Sequence, residues 1–146
     1  MGAILAAQLA RTPLVATAGQ QDMRHIADDP LLTGDLVNLA RPAVKWAREL
    51  THPDQIPVLL RRAFRDSQAA PTGPGFLSLP VNIMYAATSA DSGRRANIEL
   101  RTITTAIDKL AEKLRTFSPG KLTLIVGDEV FSSRPGRKRF GRLKAG

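Results

Sequence analysis

The hydrophobic pattern at the start of the chain predicts a helix followed by a buried strand. Residues 2–10 place three large aliphatic side chains at helical spacing among alanines, which are strong helix formers. Residues 14–18 form a short apolar run, which is typical of a strand covered on both faces. We therefore expect a helix and a strand, with Gly19 and Gln20 directly after the strand.

The middle of the chain contains one clear helix between weaker signals. Residues 36–40 predict a short helix and residues 44–46 a short strand, in which Trp46 is expected to be a core residue. The clear helix begins near Thr51, the expected N-cap, with Asp54 in a capping-box-like position. Its predicted apolar face consists of residues at spacings of three and four, namely Ile56, Leu59, Leu60, Ala63, Phe64 and Ser67.

A second apolar run and a change of composition divide the rest of the chain. Residues 76–79 predict another buried strand, closed by Pro80, and residues 85–97 have the small and polar composition of an exposed linker. Residues 98–114 then predict a helix and residues 122–126 a strand. Since one helix and one strand cannot enclose a core, we expect them to begin a second α/β domain.

The order of these elements predicts the fold class. Helices alternating with nearly continuous apolar strands indicate an α/β domain whose parallel sheet is covered on both faces. In such sheets ligands bind beyond the carboxyl ends of the strands. We therefore expect a ligand site near Gly19, Gln20 and the residues after Leu79.

The positive charge is concentrated at the end of the chain. The net charge is +8, and six of the 21 basic residues lie in residues 134–144, which contain no acid. The remaining 15 basic residues nearly balance the 13 acidic ones. A short basic tail with glycine and proline, such as residues 131–146, is typical of a solvated, disordered segment, so nucleic-acid binding is not the expected function.

Several classes of site and location have no support in the sequence. The absence of cysteine excludes disulfides and thiolate metal sites. His25 and His52 have no partners at metal-ligand spacing and are expected at the surface. No apolar run approaches the roughly 20 residues of a membrane span, and Gln8 and Arg11 interrupt the apolar start that a signal peptide would need. We therefore expect a cytoplasmic protein without a membrane partner.

Five phrases of the sequence together resemble one enzyme family. They are Thr-Pro-Leu-Val-Ala-Thr-Ala-Gly-Gln-Gln at 12–21, Asp-Leu-Val at 35–37, Lys-Trp at 45–46, Gly-Pro-Gly-Phe-Leu-Ser-Leu-Pro at 73–80 and Leu-Ile-Val-Gly-Asp at 124–128. In this order and spacing the chain resembles, over roughly residues 1–130, the thiamine-diphosphate-dependent enzymes of the benzoylformate decarboxylase and acetolactate synthase type. The resemblance implies 2-oxo-acid decarboxylase or carboligase chemistry.

The resemblance also implies a domain organisation. Residues 1–84 would be the C-terminal part of a pyrimidine-binding domain, an incomplete three-layer α/β domain with a parallel sheet. Residues 85–97 would be the linker, residues 98–130 the start of the central domain, and residues 131–146 a basic tail.

Thiamine diphosphate and magnesium are the cofactors that the family implies. Gly19 and Gln20 match a Gly-Gln pair that lies beside the cofactor in the family, so they are the candidate cofactor-binding residues, whereas a turn at Gly19 and a loop cap at Gln20 would be the structural alternative. The family's activating glutamate and its magnesium–diphosphate motif are expected outside this chain. We therefore expect no catalytic residue, no metal ligand and no retained cofactor in the chain alone, which would be an inactive part of the enzyme.

Two further functions remain open. The chain could be a non-catalytic interaction module that pairs with the diphosphate-binding domain of another chain, since that is how pyrimidine domains pack in the family. The basic tail could contact nucleic acid, the less favoured possibility. The tail also departs from the family pattern, which suggests a gene fragment.

Overall fold

The computed structural model describes residues 1–93, 104–118, 120–123, 125 and 127. The chain divides into two units, residues 1–100 and residues 101–146, and each is described by itself. The first unit contains the sheet that positions the candidate site.

Within the described residues the first unit contains a parallel sheet of three strands. They are β1 (Val15–Gln20), β2 (Trp46–Glu49) and β3 (Gly75–Pro80), in the order β1-β3-β2. Val15 of β1 and Trp46 of β2 are both opposite Gly75, at the start of the central strand. The parallel α/β fold expected from the sequence is confirmed.

Five helices accompany the strands in the described part of the chain. They are α1 (Gly2–Leu9), α2 (Leu36–Ala40), α3 (Ile56–Gln68), α4 (Val81–Tyr85) and, in the second unit, α5 (Thr104–Arg115). Short 3₁₀ turns cover Ile26–Asp28, Arg41–Ala43 and Pro53–Gln55. The first strand and helix pair lies where the hydrophobic pattern predicts it, although β1 continues through Gly19 and Gln20.

Helices cover both faces of the sheet, and the core lies between the sheet and these helices. On one face Phe76 packs with Ala40, Val44 and Ala47, and residues of α1 and α2 lie against this cluster. Leu77 alternates with Phe76 along β3, so it points to the opposite face, and none of its surface is exposed. The α3 backbone at Ala63 approaches that face at Gly75. This gives the three-layer arrangement expected from the sequence.

Two sequence predictions about the second strand are wrong in detail. The strand begins at Trp46 rather than at Val44, because Lys45 instead joins the loop to Pro74 through its backbone N–H. Trp46 is half-buried rather than a core residue, with the Arg62 guanidinium 5.3 Å from the centre of its ring. The edge strand can therefore be short and polar, since only Ala47 points into the core.

The third helix also differs from its prediction at two points. Thr51 is not its N-cap: the ring nitrogen of His52 accepts the N–H of Asp54, and a 3₁₀ turn precedes α3. Gln55 rather than Asp54 bonds back to Thr51, accepting its N–H and its hydroxyl at 3.1 Å each. Phe64 was expected on the apolar face but is 53% exposed, because the buried face of α3 is carried by Ala63 and Ser67.

The first half of the expected linker is attached to the first unit. Residues 86–93 are mostly exposed, as predicted, yet the Thr88 hydroxyl donates to the Asp54 carboxylate. Arg61 on α3 donates to the Ser92 carbonyl at 2.8 Å. Residues 94–97 lie outside the described residues.

Less of the second unit is described. Helix α5 overlaps the predicted helix 98–114 and ends one residue later, and residues 98–103 are outside the described part. Of the predicted strand 122–126, residues 122, 123 and 125 are not in a strand, and residues 124 and 126 are outside the description, as is the basic tail. Among the described helices, none is both long and apolar enough to cross a membrane. The cytoplasmic location stays a prediction.

Candidate functional site

A cavity of about 420 Å³ lies at the carboxyl ends of β1 and β3. These two strands end together, because Gln20 is opposite Pro80 in the parallel register. Pro80 then closes β3 and starts helix α4. The cavity is lined by residues from these three elements, namely Gly19, Gln20, Leu79, Val81, Met84 and Tyr85. It lies at the edge of the sheet where the sequence predicts a ligand site.

Gly19 leaves the strand end open on the cavity side. It is exposed, and no heavy atom lies within 4 Å of the position that a Cβ would take. It belongs to β1, so it does not turn the chain. A planar ligand could therefore approach the Gly19 backbone more closely than it could approach any other residue type.

Gln20 lines the same cavity but directs its amide into the protein. The residue is 7% exposed. Its Nε2 donates to the Gly34 carbonyl at 2.7 Å, and its Oε1 accepts the backbone N–H of Gln21 at 2.9 Å. These bonds agree with the structural alternative given above, in which Gln20 caps a loop. Its cofactor-binding role stays a prediction.

Helix α4 supplies the apolar wall of the cavity. Val81, Met84 and Tyr85 are 39%, 52% and 87% exposed, whereas Ile83 on the other side of the helix is buried. The sequence predicts a site near the residues after Leu79 but does not single out these three, and it places Tyr85 in the linker. Their spacing of three and one was the available signal, since positions i, i+3 and i+4 share one face of a helix.

A second cavity, of about 400 Å³, also borders α4. It shares Val81 and Tyr85 with the first and adds polar residues, namely Asp22, Arg24 and Asn82, together with Ala86. The Asn82 side-chain oxygen accepts the N–H of Met23 at 3.0 Å, which attaches the loop after β1 to α4.

The two charges of this second cavity neutralise each other. The Arg24 guanidinium donates to both carboxylate oxygens of Asp22, at 3.0 and 3.1 Å from Nε, and the Arg24 backbone N–H donates at 2.9 Å. These bonds lower the pKa of Asp22 to about 2, and the carboxylate in turn raises the pKa of Arg24. The pair therefore stays ionised at neutral pH with no net charge to attract an anion.

The lining of the first cavity fits an uncharged ring better than a diphosphate. Its exposed groups are a glycine backbone, aliphatic side chains and one phenol, which suit the face of an aromatic ring. A diphosphate would need positive charge or a bound metal ion. Within the described residues no group of three or more His, Asp or Glu could hold a metal ion. His25 and His52 lie at the surface, as predicted, each near one aspartate.

Comparison with known proteins gives a consistent set of similarities in sequence. Over 81 residues the chain is 36% identical to benzoylformate decarboxylase from Pseudomonas aeruginosa, covering 55% of this chain and 15% of that protein. Over 72 residues it is 29% identical to the mitochondrial acetolactate synthase catalytic subunit from Aspergillus candidus, covering 49% of this chain and 10% of that protein. No protein-family model matches the chain.

Solved structures show the same similarity. Benzoylformate decarboxylase from Polynucleobacter necessarius matches with a TM-score of 0.69 and 31% identity, over 80% of this chain and 22% of that one. The thiamine diphosphate-dependent 4-hydroxybenzoylformate decarboxylase of Rhodococcus jostii RHA1 matches with a TM-score of 0.69 and 28% identity, over 79% and 23%. The chain thus spans less than a quarter of the length of each of these proteins. In sequence and in structure, the chain is similar to one part of the thiamine-diphosphate-dependent enzymes of the benzoylformate decarboxylase and acetolactate synthase type.

Proposed function

We propose that this chain forms one wall of the thiamine diphosphate site in a 2-oxo-acid decarboxylase or carboligase of the benzoylformate decarboxylase kind. In this proposal residues 1–84 are the C-terminal part of a pyrimidine-binding domain, and residues 98–130 begin a central domain. The observation that carries the proposal is the cavity at the ends of β1 and β3, where the open Gly19 backbone meets the apolar side of α4.

The residues that line the first cavity, which form its rim, would bind and orient the ring half of the cofactor. When bound, thiamine diphosphate supplies the carbanion chemistry that 2-oxo-acid decarboxylation needs. Gly19 would allow close contact with the face of a ring, while Leu79, Val81 and Met84 would exclude water from that side. Their role is positioning, because none of these groups can transfer a proton at neutral pH.

We also propose that the chain alone is inactive. The cavity lining contains no carboxylate that could activate the cofactor, and its lack of positive charge offers nothing to the diphosphate. The acid, the magnesium ion and the groups that bind it would come from other parts of an assembled enzyme. Binding of the ring alone should then be weak, and turnover should be absent.

Nuclear magnetic resonance titration of the full chain with thiamine tests this proposal. We expect backbone shifts confined to the cavity residues, with Gly19 and Tyr85 among the largest. Gly19→Val should abolish them without unfolding the protein, because the added side chain enters open space in a strand. Thr17→Val, an isosteric change at an exposed position of the same strand, should leave them unchanged.

Two results would contradict the proposal. If thiamine causes no backbone shifts, or causes shifts scattered over the surface, the cavity does not bind the ring of the cofactor. Turnover of benzoylformate by the chain alone, with thiamine diphosphate and Mg²⁺ present, would show that the chain catalyses the reaction without other parts of the enzyme.

A second function is supported by exposed apolar groups near the same rim. Leu31 and Leu32 are 85% and 81% exposed in the loop after β1, and Tyr85 is 87% exposed. Exposed apolar surface of this kind is common at protein interfaces. We propose that a diphosphate-binding domain of another chain could cover it. Co-purification with such a domain, lost on changing Leu31 and Leu32 to serine, would support this role, and unchanged recovery of the double variant would contradict it.

A further inference from the structure

Two amide side chains, those of Gln20 and Asn82, hold the loop between β1 and α2 beside the cavity, and a third, that of Gln21, joins two residues of the loop to each other. Gln20 bonds to Gly34 at the end of this loop, and Gln21 donates from its Nε2 to the Leu31 carbonyl at 2.8 Å. Asn82 accepts from Met23 near the start of the loop. Residues 21–34 are therefore attached to β1 and α4 at the start and at the end, and the Gln21–Leu31 bond closes the loop on itself. Of the three amides, the Gln20 amide is the one carried by a buried residue.

The Gln20 amide uses both of its functional groups in this attachment. Its oxygen accepts from the chain that enters the loop, and its nitrogen donates to Gly34, the residue before Asp35. Asp35 caps α2, since its carboxylate accepts the Asn38 N–H at 3.0 Å. Gln20 thus joins the end of a strand to the beginning of a helix.

We propose that Gln20 is a positioning residue of the cavity rather than a ligand contact. Its amide holds loop 21–34 and the start of α2 at the end of β1, and the Gly19 backbone forms the ligand-facing surface of that strand end. The identity of the ligand rests on the proposed function, but the attachment of the loop does not. Breaking a buried hydrogen bond of this kind destabilises the protein, because the donor and the acceptor are left away from water and without a partner.

Gln20→Glu tests this role through pH. An ionised carboxylate can still accept from Gln21, but it has no hydrogen for the Gly34 carbonyl and places a negative charge beside it. A protonated carboxyl group can make both bonds, with its O–H donating to Gly34. The variant should therefore release the loop when the new carboxyl group ionises and restore it when that group is protonated.

The pH window follows from the surroundings of the new carboxyl group. Burial and the Gly34 carbonyl both disfavour its charged form, so the pKa of this carboxyl group in the folded variant should lie above the usual value of about 4.3. When the pKa of a carboxyl group is higher in the folded than in the unfolded protein, the group stabilises the fold at pH values below its unfolded pKa. This stabilisation is lost as the pH rises through its folded pKa. The native loop and α2 carry several ionisable groups, which the variant shares with the wild type: Asp22, Arg24, His25, Asp28, Asp29, Asp35 and Arg41.

Hydrogen exchange of the cofactor-free chain measures the attachment. Relative to wild type at the same pH, exchange in residues 21–34 of Gln20→Glu should be about tenfold faster at pH 7.5 and should approach wild type at about pH 4. Gln20→Met, which cannot donate at any pH, should be fast at both values. Gln68→Glu, the same change at the exposed end of α3, should match wild type throughout.

The outcomes separate this inference from the proposed function. Unchanged loop exchange in both Gln20 variants would overturn the positioning role, whether or not thiamine binds. Altered thiamine-induced shifts with an unchanged loop would also overturn it, since Gln20 would then act on the ligand directly. If thiamine produces no shifts in the wild type while the loop opens and closes with pH in Gln20→Glu, the proposed function fails and the positioning role stands.

Discussion

Lys45 connects the loop before β2 to the C-terminal end of α3, and replacing it by methionine should destabilise the first unit. Its ammonium group donates to the carbonyls of Asp66 and Ala69, at 2.5 and 2.8 Å. These are among the carbonyls that a helix end leaves without partners. Methionine keeps most of the aliphatic stem, which lies against Gly73, and removes only the charged donor.

The expected loss is about 1–2 kcal/mol. A hydrogen bond to a charged group contributes about 1.5–3 kcal/mol, and a cation at a helix C-terminus about 0.3–1 kcal/mol. Lys45 is exposed, so water replaces part of both contributions when the ammonium is removed. Lys45→Ala should lose about another 0.5–1 kcal/mol, because the stem no longer covers Gly73.

Urea unfolding monitored by fluorescence of Trp46, the only tryptophan, measures the change in the free energy of unfolding. With a slope of about 1–3 kcal/mol per molar urea, the midpoint of Lys45→Met should fall by roughly 0.5–1 M. The difference should shrink in about 1 M salt, which screens exposed charges. Arg65→Met is the control, since the Arg65 side chain bonds to Asp66 at the surface and its loss should cost less than about 0.5 kcal/mol. A Lys45→Met midpoint equal to wild type, or equal to Lys45→Ala, would refute the reasoning.

Three further changes probe other parts of the structure. Leu77→Ala should cost about 2–5 kcal/mol and lower the thermal midpoint, because it empties a fully buried site in the central strand. Asp22→Asn should reduce stability by a constant amount above about pH 5, and the difference should shrink as pH falls from about 4 to 2, since Arg24 lowers the folded pKa to about 2; a difference as large at pH 2 as at pH 6 would contradict this. Gly93→Ala should speed amide exchange in the segment before it, because Gly93 has φ +65° and its Cβ would lie 1.6 Å from an Arg61 nitrogen; unchanged exchange would contradict the fit.

The central elements of the fold could be predicted because their hydrophobic patterns are unambiguous. Both β1 and β3 contain nearly continuous apolar runs, and their parallel pairing follows from the helices between them. The second strand was misplaced because Val44 is apolar and buried although it precedes the strand. Its actual residues include Arg48 and Glu49, which an edge strand tolerates and a hydrophobic pattern does not reveal.

The candidate site could be predicted only as a place in the fold. Gly19 and Gln20 line the expected cavity, but the direction of the Gln20 amide depends on Gly34, which lies 14 residues away. No local pattern specifies such a partner. Met84 and Tyr85 were not singled out for a different reason: their helical spacing from Val81 spans only the five residues of α4, and so short a run does not by itself distinguish a helix from the linker that follows.

The order of the strands affects how this protein folds while the ribosome synthesises it. The central strand is the last of the three to be synthesised, and both outer strands take it as their partner. Until residues 75–80 leave the exit tunnel, β1 and β2 lack the strand with which both of them pair, and long loops must close before these ladder bonds form. Residues 15–20 and 46–49 should therefore stay unpaired and protease-sensitive until that moment, and the three strands should then pair in one cooperative step.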